Sequence, residues 1–558
     1  MDTSSFEISC RERILSDNYY DFIVDYRIEK QNTNVKDYCT VMMPTGGFLA
    51  YANKNELPPL SIALYGYSII PKLYTTQDKQ ALAESGILAI QNGNLQLTGK
   101  GVLVGIIDTG ISYTNKAFRY SDGNTRIVSI WDQTDQTGTP PMLYPYGSVY
   151  KSDDINRALN SEKPEQIVPE YDEIGHGTAM AELAAGTMYE GTEYGGAAPD
   201  ADIAVVKLKE AKEYLRKFNC IETDCTAYEE TDIMLGALYI RELARERKQP
   251  YVICIGLGTN SGDHTGGAPL SRLLDTLSLE RESAVVIAGG NEGNARHHAQ
   301  GGGEFTEIEL RSGEKEKGYA IELWAKVPEV FSVSFVSPSG EQVPKIPARL
   351  GENKEYSFLY EKTVLRVDYK LVEQGRELIS MKFKDPSPGI WKIDVYGQNL
   401  TGELFHIWLP VTGFITDETY FLLPNPYITL TEPSDAEYPI CVSGYQTNTG
   451  GRYADSGRGY TINGETKPDF SAPAVELLTG NGSYTGTSMA AAITAGAVAA
   501  FLEWAVIEKN LPLLTGGEVK NYFIRGASRE PGIIYPNRDS GYGKLYLKGV
   551  FDSLILLG

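Results

Sequence analysis

Histidine is scarce in this chain: five residues in 558, namely His176, His264, His297, His298 and His406. So few imidazoles leave a short set of candidates for any general base. Cysteine is sparse as well, six residues scattered as Cys10, Cys39, Cys220, Cys225, Cys254 and Cys441. That density excludes a secreted disulfide scaffold, and most are expected to be free thiols. Cys220 and Cys225 have no second Cys or His pair near them in sequence, so they read as a loop with two reduced thiols rather than a metal site. The opening residues, Met1 to Glu12, hold no basic segment followed by an apolar run, so no secretory leader is expected and synthesis is expected in the cytoplasm. No apolar stretch reaches the roughly 18 residues a membrane-crossing helix needs, and no membrane insertion is expected. Positive charge is in deficit, 51 Lys and Arg against 73 Asp and Glu for a net charge of -22. This disfavours nucleic acid and anionic membranes as partners, while an apolar share of 42% is that of an ordinary folded protein and excludes general disorder.

Against these absences stands Gly486-Thr487-Ser488-Met489-Ala490, a small-residue turn that delivers a serine to the start of the apolar run Ala490 to Leu502. The run has the length and alanine content of a buried helix, and at its start the helix dipole favours developing negative charge. Ser488 could be a mere N-cap, but a nucleophilic serine needs partners, and the chain has them. His176 lies in Asp172-Glu173-Ile174-Gly175-His176-Gly177-Thr178, again ahead of an alanine-rich helical stretch. Asp108 ends the apolar strand Val102 to Ile107, placed to orient an imidazole. Asn291 follows the strand Ala284 to Ala288 and supplies an amide donor for an oxyanion. A rival reading pairs Asp108-Thr109-Gly110 with Asp455-Ser456-Gly457 as two acid-protease tripeptides. Asp455 lacks a preceding apolar strand, and that reading leaves His176, Asn291 and Ser488 unexplained; Asp455 is expected in a solvated turn.

The Asp108, His176, Asn291 and Ser488 segments, in that order, resemble the subtilisin-like serine proteases, the subtilases. The resemblance implies an α/β fold, a parallel sheet with helices on both faces, and a serine endopeptidase acting through an acyl-enzyme. It implies that Asp108, His176 and Ser488 are catalytic, that Asn291 lines the oxyanion hole, and that Gly256-Leu257-Gly258, after the strand Tyr251 to Ile255, pairs with extended substrate. Lys467-Pro468-Asp469-Phe470-Ser471-Ala472-Pro473 is a further match. One departure is Ala179, where the family usually has a second histidine; it bears on substrate detail, not on the triad. The family often carries structural calcium, yet no calcium loop pattern stands out here, and no cofactor or metal is expected.

The repeated strand, turn and helix from about 77 to 302 agrees with a parallel sheet whose active site lies beyond the strand ends. Residues 1–76 read as a small α+β domain, which the resemblance makes a propeptide cut near Tyr74-Thr75-Thr76-Gln77; the alternative is a permanently attached N-terminal domain. From 303 to 428 short alternating segments such as Tyr319 to Trp324 and Val330 to Phe335 predict an inserted β-sandwich or jelly roll, with His406 in its packing or at its surface. The catalytic unit resumes over 429–558. A polar segment, Lys209 to Glu229, is expected to flank the substrate groove. This layout is similar to the Csp proteases of clostridia, subtilases that cleave the pro-form of a cortex-lytic hydrolase in spore germination. The resemblance puts a spore association, a protein substrate and the chain's own propeptide among the expected partners. Its alternative is a binding or scaffolding relative whose retained propeptide blocks an intact triad.

Overall fold

The computed structural model describes residues 10–25, 36–43, 47–76, 85–187, 195–349, 353–373, 375–480 and 482–555. Gln77 lies outside them. An eight-stranded sheet forms the centre, in the order Phe470–Pro473, Ile440–Tyr445, Ser283–Ala288, Tyr251–Ile255, Leu103–Asp108, Asp202–Lys207, Ile127–Asp132 and Ser148–Lys151. Every neighbouring pair is parallel except the last.

Both faces of this sheet are covered, and side-chain alternation along each strand sorts its residues between them. Val104 and Ile106 point into one apolar cluster with Val252, Cys254 and Val286, under the helices His176–Ala185 and Thr487–Leu502. Leu103 and Ile107 point into the other with Ile253, Ile255 and Val285, under the helices Glu230–Arg247 and Pro269–Ser278. The two helices of the first face cross closely because their contact is built from small residues. A Cβ on Gly496 would stand 2.2 Å from the Ala184 carbonyl oxygen. The Thr487–Leu502 helix runs on in a wider turn to Ile507. Taken together, Thr487–Ile507 is long and apolar enough to cross a membrane by length and composition, which corrects the sequence expectation; 83% of its most apolar window is buried inside the protein.

Between the sheet strands at 283–288 and 440–445 lie two antiparallel sheets of six and five strands. They enclose one core that includes Phe331, Phe383, Trp391 and Phe405, which makes this insertion a β-sandwich. Its first strand, His298–Gly301, pairs with Phe405–Trp408 and so lies ahead of the expected start at 303. Its last strand is Tyr420–Phe421.

The N-terminal unit is a three-stranded antiparallel sheet, Tyr19–Asp25, Gly47–Asn53 and Tyr38–Met43 in spatial order. Cys10 and Cys39 form a disulfide, a pairing that a separation of 29 residues did not reveal; Cys220, Cys225, Cys254 and Cys441 are free. This unit rests on the segment from Lys209 to Glu229, much of which is buried. Ala211, Tyr214, Leu215, Ile221 and Ala227 join Phe22 and the sandwich residues Trp324, Leu378 and Trp408 in one apolar cluster. Lys212 is paired with Asp21 and Lys209 with Asp232 at 2.7 Å. Such buried ammonium groups are tolerated because each carries a carboxylate partner.

Candidate active site

The carboxyl end of the central strand Leu103–Asp108 presents Asp108, whose Oδ1 accepts from the Thr109 N–H at 2.8 Å. The same oxygen meets His176 Nδ1 at 2.6 Å, and His176 Nε2 stands 3.0 Å from Ser488 Oγ. All three side chains are buried. A carboxylate on Nδ1 fixes the ring and leaves Nε2 facing the hydroxyl, the arrangement in which imidazole removes a serine proton and a carboxylate stabilises the imidazolium formed.

Ser488 is the second residue of its helix, not the cap: the N-cap is Gly486, with φ 154°. The serine hydroxyl is therefore free of capping duty and sits where the first-turn N–H groups and the dipole favour an oxyanion. Asn291 completes that environment. Its Oδ1 accepts from the Thr487 N–H at 3.1 Å and from Thr487 Oγ1 at 3.2 Å, while Thr487 Oγ1 accepts from the Gly290 N–H at 3.1 Å. With its carbonyl oxygen held in this way, the amide NH2 of Asn291 is left to donate.

His176 is held by a carboxylate the sequence reading did not single out. Asp172 Oδ1 accepts from Thr109 Oγ1 and the Gly175 N–H, each at 2.8 Å. Its Oδ2 accepts from the Thr178 N–H at 2.8 Å and Thr178 Oγ1 at 2.6 Å. Asp172 thus ties the loop after Asp108 to the N-terminus of the His176 helix, where its charge suits the dipole. The approach is tight: a Cβ on Gly177 would lie 2.4 Å from the Gly110 carbonyl oxygen. Its place four residues before His176, together with Thr109 and Thr178, was the signal available in sequence. Thr487 carried one too, standing beside the serine. Near this loop Glu170 is buried, its Oε1 accepting from the Ile111 N–H at 2.9 Å, and burial pushes its carboxyl up to about 8.

The groove beside the serine is edged by Leu257–Gly258 on one side and Tyr228–Glu229 on the other, with Leu73–Thr76 lying between them as the middle strand. Thr76 is opposite Leu257 and Thr75 opposite Gly258; Tyr74 is opposite Tyr228 and Leu73 opposite Glu229. The second rim, Tyr228–Glu229, is the end of the segment expected to flank the groove. Burial, with the Asp108 and Asp172 charges nearby, raises the Tyr228 phenol and keeps it neutral. Gly256 is pressed against the site: a Cβ there would come within 2.9 Å of Ser488 Cβ. Thr431 fills the space between the two glycine edges, its Oγ1 lying 2.2 Å from a Cβ built on Gly258 and 2.8 Å from one built on Gly290.

Asp455 lies in a half-buried turn; its backbone carbonyl accepts from the Gly293 N–H. His264, His298 and His406 are stacked around Trp408, away from the triad. Among the described residues no group of three or more His, Cys, Asp or Glu side chains is arranged to hold a metal ion.

A parallel sheet that gathers Asp, His and Ser at its strand ends, with an asparagine beside the serine, defines a serine endopeptidase of the subtilisin type. The chain belongs to the subtilase family: the Peptidase S8 family model matches residues 99–363 and 424–543, the gap falling across the sandwich. It is similar to the solved CspB protease of Clostridium perfringens, at 34% identity and a TM-score of 0.75, over 84% of this chain and 96% of that one. Among curated proteins it is similar to two subtilisin-like proteases of Arabidopsis thaliana. SBT1.9 is 27% identical over 183 residues, 29% of this chain and 24% of the relative. SBT2.2 is 28% identical over 135 residues, 21% of this chain and 16% of the relative. The matched region thus spans a quarter or less of each plant protein.

Proposed function

We propose that this subtilase is a self-maturing endopeptidase: it cuts the bond that follows its own N-terminal unit and then processes a protein substrate. The observation that carries this is the strand Leu73–Thr76, laid between both rims of the groove with an assembled triad at its end. Thr76 stands opposite Leu257, whose neighbour Gly256 is pressed against Ser488. We take the scissile carbonyl to lie at the end of this segment, near Gln77.

Ser488 Oγ attacks this carbonyl as its proton passes to His176 Nε2, and Asp108 stabilises the resulting imidazolium. The oxyanion is held by Asn291 Nδ2 and the Ser488 N–H. The protonated His176 gives its proton to the leaving amine, and water, activated by the same imidazole, releases the acyl group. Free substrate then takes the place of Leu73–Thr76 as an added strand, so that main-chain pairing supplies affinity and side-chain pockets supply selectivity. By resemblance to the Csp proteases, the substrate class is the pro-form of a spore cortex-lytic hydrolase, and the setting is the spore.

A second reading is favoured by the same strand pairing: the N-terminal segment stays in the groove and the chain works as a binding protein. Intact mass and N-terminal sequencing of wild type beside Ser488→Ala separate the two. Two fragments from wild type, the larger beginning near Gln77, and one uncut Ser488→Ala chain support self-processing. If wild type stays whole, the blocked form takes its place; if both chains are cut alike, another protease is responsible.

A further inference from the structure

Asn291 is held on its inner side by Thr487, and the residue after it reaches outward into the sandwich. Glu292 is buried, 4% exposed. Its Oε1 accepts from the Thr412 N–H at 3.0 Å. Its Oε2 meets His297 Nδ1 at 2.6 Å and Asn260 Nδ2 at 3.3 Å. His297 directly precedes the first sandwich strand, and Thr412 follows the strand Phe405–Trp408 that pairs with it. The Leu409 N–H bonds to the His297 carbonyl at 2.9 Å, and Asn260 Nδ2 also donates to the Leu409 carbonyl at 3.1 Å. One carboxylate therefore gathers two neighbouring strands of the insertion and the loop after the substrate edge. Burial alone would push its carboxyl up, but the His297 imidazole and the Thr412 N–H more than offset this and hold it below its ordinary value.

We propose that Glu292 is a positioning residue for the oxyanion hole: it fastens the loop that carries Asn291 to the β-sandwich, so that the insertion sets where the Asn291 amide points. The oxyanion loop has Thr487 on one side and Glu292, bonded into the sandwich, on the other. Losing Glu292 removes the side-chain tie between this loop and the sandwich, and leaves Asn291 held by Thr487 and by backbone bonds such as Gly293 N–H to the Asp455 carbonyl. An oxyanion donor displaced by even a fraction of an ångström weakens the bond that grows strongest in the transition state. The effect is expected on the chemical step and not on strand pairing with substrate, because Glu292 reaches Asn260 in the loop beyond Gly258 and not the pairing backbone itself.

The proposal rests on Ser488 being an activated nucleophile, and the test exposes a failure of either idea separately. A small alkyl fluorophosphonate is reacted with the full chain, and the rate of adduct formation at Ser488 is followed by intact mass. Wild type must be labelled; if it is not, the serine-hydrolase reading fails before Glu292 is in question. Glu292→Gln keeps the shape but loses the charge, and its labelling, measured well below its thermal midpoint, is expected to slow about tenfold. In an Asn291→Ala background the same substitution is expected to change the rate less than about twofold, because two residues acting through one hydrogen bond are not additive. His297→Gln, which keeps a donor, is expected to stay within about twofold of wild type, and His297→Leu to slow labelling as Glu292→Gln does. Labelling of Glu292→Gln at the wild-type rate overturns the proposal. So does a loss that multiplies with that of Asn291→Ala, which marks a purely structural role. If Glu292→Gln does not fold, the His297 pair decides alone, and equal rates for Gln and Leu overturn it.

Discussion

Thr76 and Leu257 face each other as antiparallel strand partners, so the chain's own N-terminal segment occupies the edge proposed to pair with extended substrate. The grip depends on a close approach: a Cβ on Gly258 would stand 2.2 Å from Thr431 Oγ1. Gly258→Ala is therefore expected to push this edge outward. Steady-state kinetics should show kcat/KM falling about tenfold for extended peptides that pair with Gly258, and little change for a short ester that does not reach it. Equal losses on both substrates would mean that the edge does not bind substrate.

Asn291→Ala should lower kcat by about 10² to 10³ with KM nearly unchanged, a magnitude carried over from subtilisin itself. Thr487→Val should do less, about tenfold, because the Thr487 N–H still holds Asn291 Oδ1. A rise in KM in place of a fall in kcat would assign Asn291 to ground-state binding.

Asp172 bonds the Thr109 hydroxyl, the Gly175 N–H and the Thr178 N–H and hydroxyl, yet it does not touch the reacting groups. Asp172→Ala should lower kcat about 10- to 100-fold and reduce the thermal midpoint, since it strands four donors and frees the His176 loop. Kinetics and thermal unfolding measured on the same preparation check this; a normal midpoint with normal kcat contradicts the role.

His298 and His406 meet at 3.0 Å between Nε2 and Nδ1 at the contact of the sandwich with the catalytic unit. Burial, then Arg376 and His264, hold His406 down to about 3, and burial with His406 and His264 holds His298 well below its usual range. The unfolded chain takes up these protons near 6.5, whereas the folded chain does not until far lower pH. Between those values the unfolded state binds more protons, so stability is lost as pH falls through about 6.5, by about 1.4 kcal/mol per pH unit for one such group. Thermal midpoints taken from pH 7 to pH 4 should fall more steeply for wild type than for His406→Gln. Parallel slopes would show that this histidine does not sense acid.

The triad was legible because each member sits in a short run of its own: Asp108 at the end of an apolar strand, His176 and Ser488 between glycines and alanine-rich helices. The parallel sheet was legible from the same strands, whose residues are apolar on both faces. What the sequence hid depends on contacts between distant residues. Thr487 meets Asn291 across 196 positions, Thr109 meets Asp172 across 63, and Cys10 bonds Cys39 only because the helical residues 10–15 lie on the N-terminal sheet. Composition also hid how far the Lys209 to Glu229 segment is buried. Lys209 and Lys212 are paired inside the protein, and composition does not distinguish a paired buried lysine from a solvated one.

The most direct measurement is single-adduct labelling by a fluorophosphonate, compared across wild type, Ser488→Ala and His176→Ala, with peptide hydrolysis followed in parallel. One adduct on Ser488, loss of hydrolysis in step with labelling, and neither labelling nor hydrolysis in the two variants is the expected result. Hydrolysis that persists in Ser488→Ala, or an adduct on a different residue, would contradict a nucleophile at Ser488 activated by His176 and Asp108.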